Sequence, residues 1–322
     1  MKEKRKFLFE GEKERLDIFL RDKNPDLTRS QIKLLIDAGF VLLNSKIAEK
    51  AGIFLKNGDN VEIEINDEIR EELKVEPQDI EVPIIYEDED IVVVNKPAGM
   101  TVHPAIGHRK DTLANALAYR YREILKMDKV RPGIVHRLDK EVSGVMVVAR
   151  NYRARNLLAE QFKNKLVKKT YIACAIGQTD NLPSEGVISK NITRHPTNRI
   201  KMCVTENEGR ESITRWKILK RKERYLFLLV NPLTGRTHQI RVHLSSEKMP
   251  VIGDNLYGGA KILKIDAGLA EIMNGYNGIL LHSHSLSFTH PSTGEEMTFK
   301  TAPPPSFMKA FRHLFGEEIE IP

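Results

Sequence analysis

The sequence predicts an α+β protein: a large, mainly antiparallel mixed sheet with a few helices, preceded by a small N-terminal α/β module. Three observations predict it. Residues 80–322 alternate short apolar runs with turn signals and hold few stretches of helical periodicity, which suits a sheet-dominated domain. Residues 13–65 carry helix and strand patterns of their own on the scale of a separate module. Residues 66–79, from Asn66 to Asp79, are acidic, mixed and poorly periodic, with Pro77 near the end, and read as a linker.

In the first module, Glu14–Arg21 reads as a short amphipathic helix with Leu16, Phe19 and Leu20 on one side. Thr28 is a good N-cap, and Gln31 three residues later completes a capping-box pattern. Ile32, Leu35 and Ile36 follow at helical spacing, and Gly39 supplies the stop. Val41–Asn44 reads as a strand, Asn57-Gly58 as a turn, and Val61, Ile63 and Ile65 as one face of a half-buried strand. In the larger domain, the runs Ile84–Tyr86 and Ile91–Val94 flank a hairpin-like turn, Glu87–Asp90. Thr112–Leu125 reads as a helix capped by Thr112. Asn156–Leu166 reads as another, with Leu158, Phe162 and Leu166 at four-residue spacing. Val145–Val148, Tyr171–Gly177, Ser212–Leu219 and Tyr225–Val230 read as strands.

Composition narrows the classes. With 322 residues, 41% hydrophobic and 30% charged, the chain has material for a real core in one large and one small domain. No apolar run approaches the length needed to cross a bilayer, so a membrane partner is not expected. The charged start, Met1–Lys6, is followed only by Phe7-Leu8-Phe9, too short for a secretory segment. Cys174 and Cys203 therefore read as free thiols in a reducing cytoplasm, and the protein is expected to act there as a monomer. The net charge is +7 and unevenly spread: residues 150–225 hold 18 Lys or Arg against 7 Asp or Glu. Clusters such as Lys163, Lys165, Lys168 and Lys169 suit phosphates, or simply a solvated face. Residues 1–65 are nearly neutral, with 13 basic and 12 acidic residues.

The most informative run is His136-Arg137-Leu138-Asp139-Lys140-Glu141-Val142-Ser143-Gly144. It sets one carboxylate among cations, just before a Ser-Gly turn and the buried run Val145–Val148. Such a carboxylate attacks or stabilises an electron-poor carbon, or it is a plain structural ion pair. Two further segments follow: Lys168–Ala173 around Tyr171, and Asn231–Leu244, which reads NPLTGRTHQIRVHL. With Asn95–Gly99, Val102-His103-Pro104, Gly253–Gly258 and Leu281-His282 before Phe288–Pro291, these ordered segments resemble the RluA-type family of RNA pseudouridine synthases. The resemblance covers roughly residues 80 to 305. Residues 13–65 resemble the S-four-type RNA-binding domain. One departure is Val142, where the family commonly has Thr.

The resemblance implies a central curved sheet whose cleft holds the catalytic residues. It implies isomerisation of uridine to pseudouridine, in large-subunit ribosomal RNA or in tRNA. A non-catalytic RNA-binding protein of the same fold is the rival class, and a metal-dependent RNA hydrolase the third. Isomerisation has no redox step, so no cofactor is expected, and the sequence has no dinucleotide or P-loop motif. Asp139 is the implied catalytic carboxylate and Arg241 its partner, because an adjacent guanidinium favours the charged form and fixes its orientation. Arg241 otherwise contacts backbone or phosphate. Tyr171 either stacks on the uracil or accepts the proton from ring carbon 5, unless it is a core residue. Arg137 is expected at RNA, at a phosphate or in the gap left by an extruded base, or else in a salt bridge. In the small module Arg29, Lys33 and Lys46 are the candidate phosphate contacts. His103, His136, His238 and His243 lack metal-site spacing, so no metal is expected.

Overall fold

The computed structural model describes all residues except 1, 26, 28, 38, 67–74, 105–108, 129–130, 178–181, 199 and 322, with the side chains of 2, 29, 30, 34, 37 and 66 also outside the description. The chain forms two compact units, Met1–Lys74 and Val75–Pro322.

The first unit begins with β1 (Lys2–Leu8), which lies outside the expected 13–65 module. It pairs antiparallel with β6 (Asn60–Asn66), and Lys4 and Lys6 face Glu64 and Glu62 across the ladder. The ion pairs there measure 3.2 and 3.0 Å. Between them come β2 (Glu14–Arg15), α1 (Leu16–Lys23), α2 (Arg29–Asp37), β3 (Val41–Leu43), β4 (Lys46–Ile47) and β5 (Phe54–Leu55). The helix expected from Glu14 starts two residues later, because Glu14 and Arg15 pair with β5 instead. The apolar sides of α1 and α2 pack with Val61, Ile63 and Ile65 into one core. Thr28, expected to cap α2, lies outside the described residues.

The second unit starts earlier than the expected Ile80. Val75 is buried beside Ala114 and Ala118, and Gln78 N–H donates to Asn115 O at 3.1 Å. Its strands are β7 (Ile84–Glu87), β8 (Ile91–Lys96), β9 (Ser143–Ala149), β10 (Lys168–Ile176), β11 (Glu185–Ser189), β12 (Asn191–Arg194), β13 (Met202–Thr205), β14 (Ile213–Lys222), β15 (Tyr225–Pro232), β16 (Leu281–Thr289) and β17 (Glu296–Lys300). Nine of them form one sheet in the order β11-β14-β15-β10-β16-β9-β8-β7, with β17 also on β16. Every pairing is antiparallel except β9 with β16, which makes the sheet mixed. Among the described strands, β16 alone joins the β7–β9 half to the β10–β15 half.

The helices are α3 (Leu113–Arg120), α4 (Tyr152–Lys163), α5 (Gln239–Ser246), α6 (Ala267–Met273) and α7 (Pro305–Phe315). The helix expected over Thr112–Leu125 breaks at Tyr121 (φ −124°, ψ 76°) and resumes as a 3-10 turn, Arg122–Lys126. Tyr121 is buried and its hydroxyl donates to Glu87, which the straight helix would not allow. The helix expected from Asn156 starts at Tyr152, capped by Asn151, whose Oδ1 accepts the Ala154 N–H at 2.9 Å.

Strand alternation assigns the two faces of the sheet. Along β10, Tyr171, Ala173 and Ala175 join the core that includes Leu138, Val142 and Ile240. Ile172 and Cys174 point to the opposite core, under α6 and α7. Tyr171 thereby lies on the same face as the Asp139 turn. Among the described residues, no helix is long and apolar enough to cross a membrane.

Candidate active site

The turn that carries Asp139 is fixed through its carbonyls. Asp139 O accepts from Val142 N (3.2 Å), Lys140 O from Gly99 N (2.8 Å) and Glu141 O from Ile279 N (3.1 Å). Beyond the turn, β9 is buried along its whole length. Gly144 (φ +122°) faces Ser283 across the parallel seam, and a Cβ there would lie 2.2 Å from the Ser283 carbonyl oxygen. Glycine lets the two strands close, and the turn is anchored at that point.

Arg241 comes from α5. The loop ahead of the helix is tied by Gln239, whose Oε1 accepts from Thr234 Oγ1 (2.7 Å) and Arg236 N (3.0 Å). Arg241 is only 2% exposed and meets three carboxylates. Its Nε and Nη2 donate to Asp254 Oδ2 (2.7 Å) and Oδ1 (3.1 Å), a two-pronged contact. Its Nη1 donates to Asp139 Oδ2 (3.1 Å) and Glu141 Oε2 (3.2 Å). Asp254 is itself fully buried, and its Oδ1 also accepts from the Leu256 and Tyr257 backbone N–H groups. Burial alone would lower the Arg241 pKa. The Asp254 hydrogen bonds and the charges of Asp139, Asp254 and Glu141 outweigh it, and the pKa rises. Asp254 clamps one side of the guanidinium, so the remaining prong presents a fixed donor to Asp139.

Asp139, Arg241, Tyr171 and Arg137 all line one cleft of about 530 Å³. Its walls include Leu138, Val142, Ile240 and Leu281, and its cations include Arg131, Lys163, Lys165, Lys169 and Arg236. Tyr171 is 9% exposed. Burial pushes its pKa up to about 12, Asp139 adds to the rise, and a hydrogen bond with Ser283 pulls the other way. The phenol keeps its proton at neutral pH. Lys169 is lowered to about 8, by burial first and then by Arg236, and its Nζ donates to Thr234 O at 3.0 Å. His136 stacks on Phe162 with ring centres 4.5 Å apart, and its Nε2 accepts the Val147 N–H at 3.1 Å. Burial, with Lys169, pushes its pKa down to about 3.

Lys96 has no exposed surface, yet its Nζ reaches three carbonyls: Pro97 (2.8 Å), Met100 (2.8 Å) and Lys140 (3.3 Å). Burial lowers its pKa to about 7, against the pull of Asp139 and Glu141. Three acceptors match the three protons of an ammonium, so the charged form of Lys96 ties the Pro97–Met100 segment to the Lys140 carbonyl of the Asp139 turn.

The structure brings four of the sequence-derived residues, Asp139, Tyr171, Arg241 and Arg137, into one cleft. Arg137 is exposed there. Lys33 on α2 and Lys46 on β4 are exposed on the first unit, and the side chain of Arg29 lies outside the described residues. Glu141, Asp254, Lys96 and Tyr257 are not among the candidates singled out from the sequence; Lys169 is there only as one of a phosphate-suited cluster, and His238 only as a histidine without metal-site spacing. The signal for Asp254 and Tyr257 was the run Gly253–Gly258. For Lys96 it was a lysine ending an apolar strand. Outside the cleft, Asp88, Asp90 and His290 offer ligand atoms within 4.8 Å of one another. Asp88 Oδ1 accepts two backbone N–H groups, and its Oδ2 accepts Tyr86 Oη–H and faces His290 Nε2 at 3.0 Å. His290 Nδ1 accepts from Ser292 and Thr293, which leaves the Nε2 proton for Asp88. Hydrogen bonds therefore already occupy the Asp88 oxygens and His290 that a cation would need.

A carboxylate set against a buried guanidinium in a cation-lined cleft suits an enzyme that does its chemistry on a polyanion. Comparison with known proteins gives the family. Residues 90–246 match the RNA pseudouridylate synthase family, and residues 14–61 match the S4 domain. The chain is 42% identical over 311 residues to an uncharacterized RNA pseudouridine synthase of Aquifex aeolicus, covering 96% of each. It is 39% identical over 309 residues to ribosomal large subunit pseudouridine synthase D of Escherichia coli K12, covering 95% of this chain and 92% of that one. The solved human RNA pseudouridylate synthase domain containing 1 superposes with a TM-score of 0.55 at 28% identity, over 71% of this chain and 87% of that one. The chain belongs to the RNA pseudouridylate synthase family: it is an isomerase acting on RNA, with an S4 domain at its N-terminal end.

Proposed function

We propose that this chain converts uridine to pseudouridine in large-subunit ribosomal RNA, with Asp139 as the catalytic carboxylate. The observation that carries the reading is the 3.1 Å contact between Arg241 Nη1 and Asp139 Oδ2 at the floor of the cleft. The isomerisation breaks the bond from ribose to the uracil ring nitrogen and forms one to ring carbon 5. Carbon 5 loses a proton, the nitrogen gains one, and no water enters the balance. One carboxylate suffices for this, whereas a glycosidase needs a second to direct water.

The target base must first leave its stack, at a cost of a few kcal/mol. Arg137, exposed at the rim, fills the gap or holds the flanking phosphate. Asp139 then meets the sugar or base, by covalent attack or by stabilising positive character at the ribose. Arg241 sets its angle and supports its charge. Tyr171 stacks on the uracil; with a pKa near 12 it is a poor proton acceptor. The ribosomal substrate is supported by likeness to the E. coli large-subunit enzyme over nearly the whole chain. The S4 match supports Arg29, Lys33 and Lys46 as contacts outside the cleft. Both cysteines are free thiols, which suits a reducing cytoplasm.

The test uses large-subunit ribosomal RNA transcribed with uridine tritiated at ring carbon 5. Wild type releases label. Asp139→Asn releases at least about 1,000-fold more slowly while its RNA affinity stays within about threefold. Equal release by both proteins removes Asp139 from the chemistry.

A further inference from the structure

Asp139 has a second neighbour that the foregoing chemistry does not use. His238 stands one turn ahead of Arg241, and its Nε2 lies 4.0 Å from Asp139 Oδ2. It adopts a left-handed conformation (φ 55°, ψ 19°) immediately before α5, an unusual backbone for a residue other than glycine. On its other side, His238 Nδ1 lies 2.9 Å from the Tyr257 hydroxyl. That hydroxyl is also 2.8 Å from the backbone N–H of Met202, which comes from β13 of the β12–β13 hairpin.

These contacts fix where the protons are. A backbone amide only donates, so the Tyr257 oxygen is the acceptor for Met202. Burial raises the Tyr257 pKa to about 12, so the phenol proton is present, and Tyr257 is 5% exposed. Among the described residues, the acceptor within reach of that proton is His238 Nδ1. Burial, the largest influence, lowers the His238 pKa; Arg241 acts in the same direction and Asp139, Glu141 and Asp254 against it. A neutral imidazole that accepts at Nδ1 carries its hydrogen on Nε2, the atom that faces Asp139.

We infer that His238 is a positioning residue for Asp139, held by Tyr257 in the tautomer whose Nε2–H points at Oδ2. Arg241 Nη1 already donates to that same oxygen at 3.1 Å. Among the described residues, no hydrogen bond engages Oδ1. Two donors on one oxygen leave the other oxygen as the reacting one and hold the carboxylate against rotation. At 4.0 Å the His238 contact is a charge–dipole one. It shortens to a hydrogen bond when substrate expels water from the cleft. The inference rests on the reading of Asp139 as the catalytic carboxylate.

The test follows turnover of the same tritiated ribosomal transcript, with kcat and KM separated. His238→Gln places an amide donor near the position of Nε2; His238→Asn places one near Nδ1 and none at Asp139. His238→Asn is expected to lower kcat about 30-fold with KM unchanged, and His238→Gln to lower it less than about threefold. Tyr257→Phe frees the tautomer and is expected to lower kcat about tenfold in wild type and not at all in His238→Gln, where no tautomer exists. Nitrogen-15 NMR of the wild-type protein is expected to show a protonated Nε2 and a bare Nδ1 at His238. The opposite tautomer overturns the inference, as does an equal loss from Gln and Asn, or an equal cost of Tyr257→Phe in both backgrounds. Asp139→Asn is run alongside. If it turns over, the proposed role of Asp139 fails. If it is dead while His238→Asn matches wild type, only the role of His238 fails.

Discussion

At the floor of the cleft, Arg241 is 2% exposed and its hydrogen-bonding edge is spent on Asp254, Asp139 and Glu141. At the rim, Arg137, Lys163 and Lys165 are exposed, and Lys169 is half-buried beside Arg236. The same residue class serves two purposes. Floor cations are matched within the protein before any RNA arrives, so they set geometry and contribute little to attraction. Rim cations face solvent and gain most when a phosphate replaces water and counterions. Chemistry and affinity are therefore separable by mutation, and the predictions below try that separation.

After Asp139→Asn, the largest effect is expected from Arg241→Lys. A single ammonium cannot bridge Asp254 and Asp139 as the planar fork does. The expected results are a fall in kcat of at least about 100-fold and a stability loss of about 3 kcal/mol, because buried carboxylates lose their partner. Stopped tritium release and urea unfolding measure the two, and RNA affinity is expected to hold. A weakened affinity with unchanged kcat breaks the contrast. Next comes Arg137→Ala: about a tenfold loss of RNA affinity, and a salt dependence shallower by about one phosphate contact. Nitrocellulose binding across a salt series reads both.

Lys169 sharpens the contrast through pH. Its folded pKa, near 8, lies below that of an ordinary lysine, so it is charged below pH 8 and neutral above. RNA affinity is expected to fall several-fold between pH 7 and pH 9, and Lys169→Arg to flatten that slope because guanidinium stays charged. A slope unchanged in Lys169→Arg removes Lys169 from RNA binding. The smallest effect belongs to the first unit. Reversing Lys33 and Lys46 together to Glu is expected to weaken binding of the full ribosomal transcript about threefold, with kcat untouched. No change in affinity removes both as contacts.

Much of the site was legible because its residues sit in ordered, distinctive runs. Asp139 and Arg241, 102 positions apart, each stood in such a run, and the structure sets them 3.1 Å apart. Asp254 was visible only as part of a run. What it does depends on which guanidinium the fold brings to it, and no local pattern encodes that. Lys96 ends an apolar strand, and only the path of the Pro97–Met100 and Lys140 backbone reveals that three carbonyls await it. Strand β1 escaped for another reason. It is an edge strand whose cross-strand partners are ion pairs, so apolar alternation, the usual mark of a strand, is weak. The helix ends shifted where a tertiary contact, such as that of Tyr121 with Glu87, overrode local preference.

The place of β16 has a bearing on when the enzyme comes to life. During translation Asp139, Tyr171 and Arg241 all leave the ribosome before Leu281 does. Among the described strands, the β7–β9 half beside the Asp139 turn and the β10–β15 half that carries Tyr171 are joined only through β16, so the cleft is expected to assemble only once that strand is in place. A chain truncated before Leu281 is therefore expected to release no label from the tritiated ribosomal transcript.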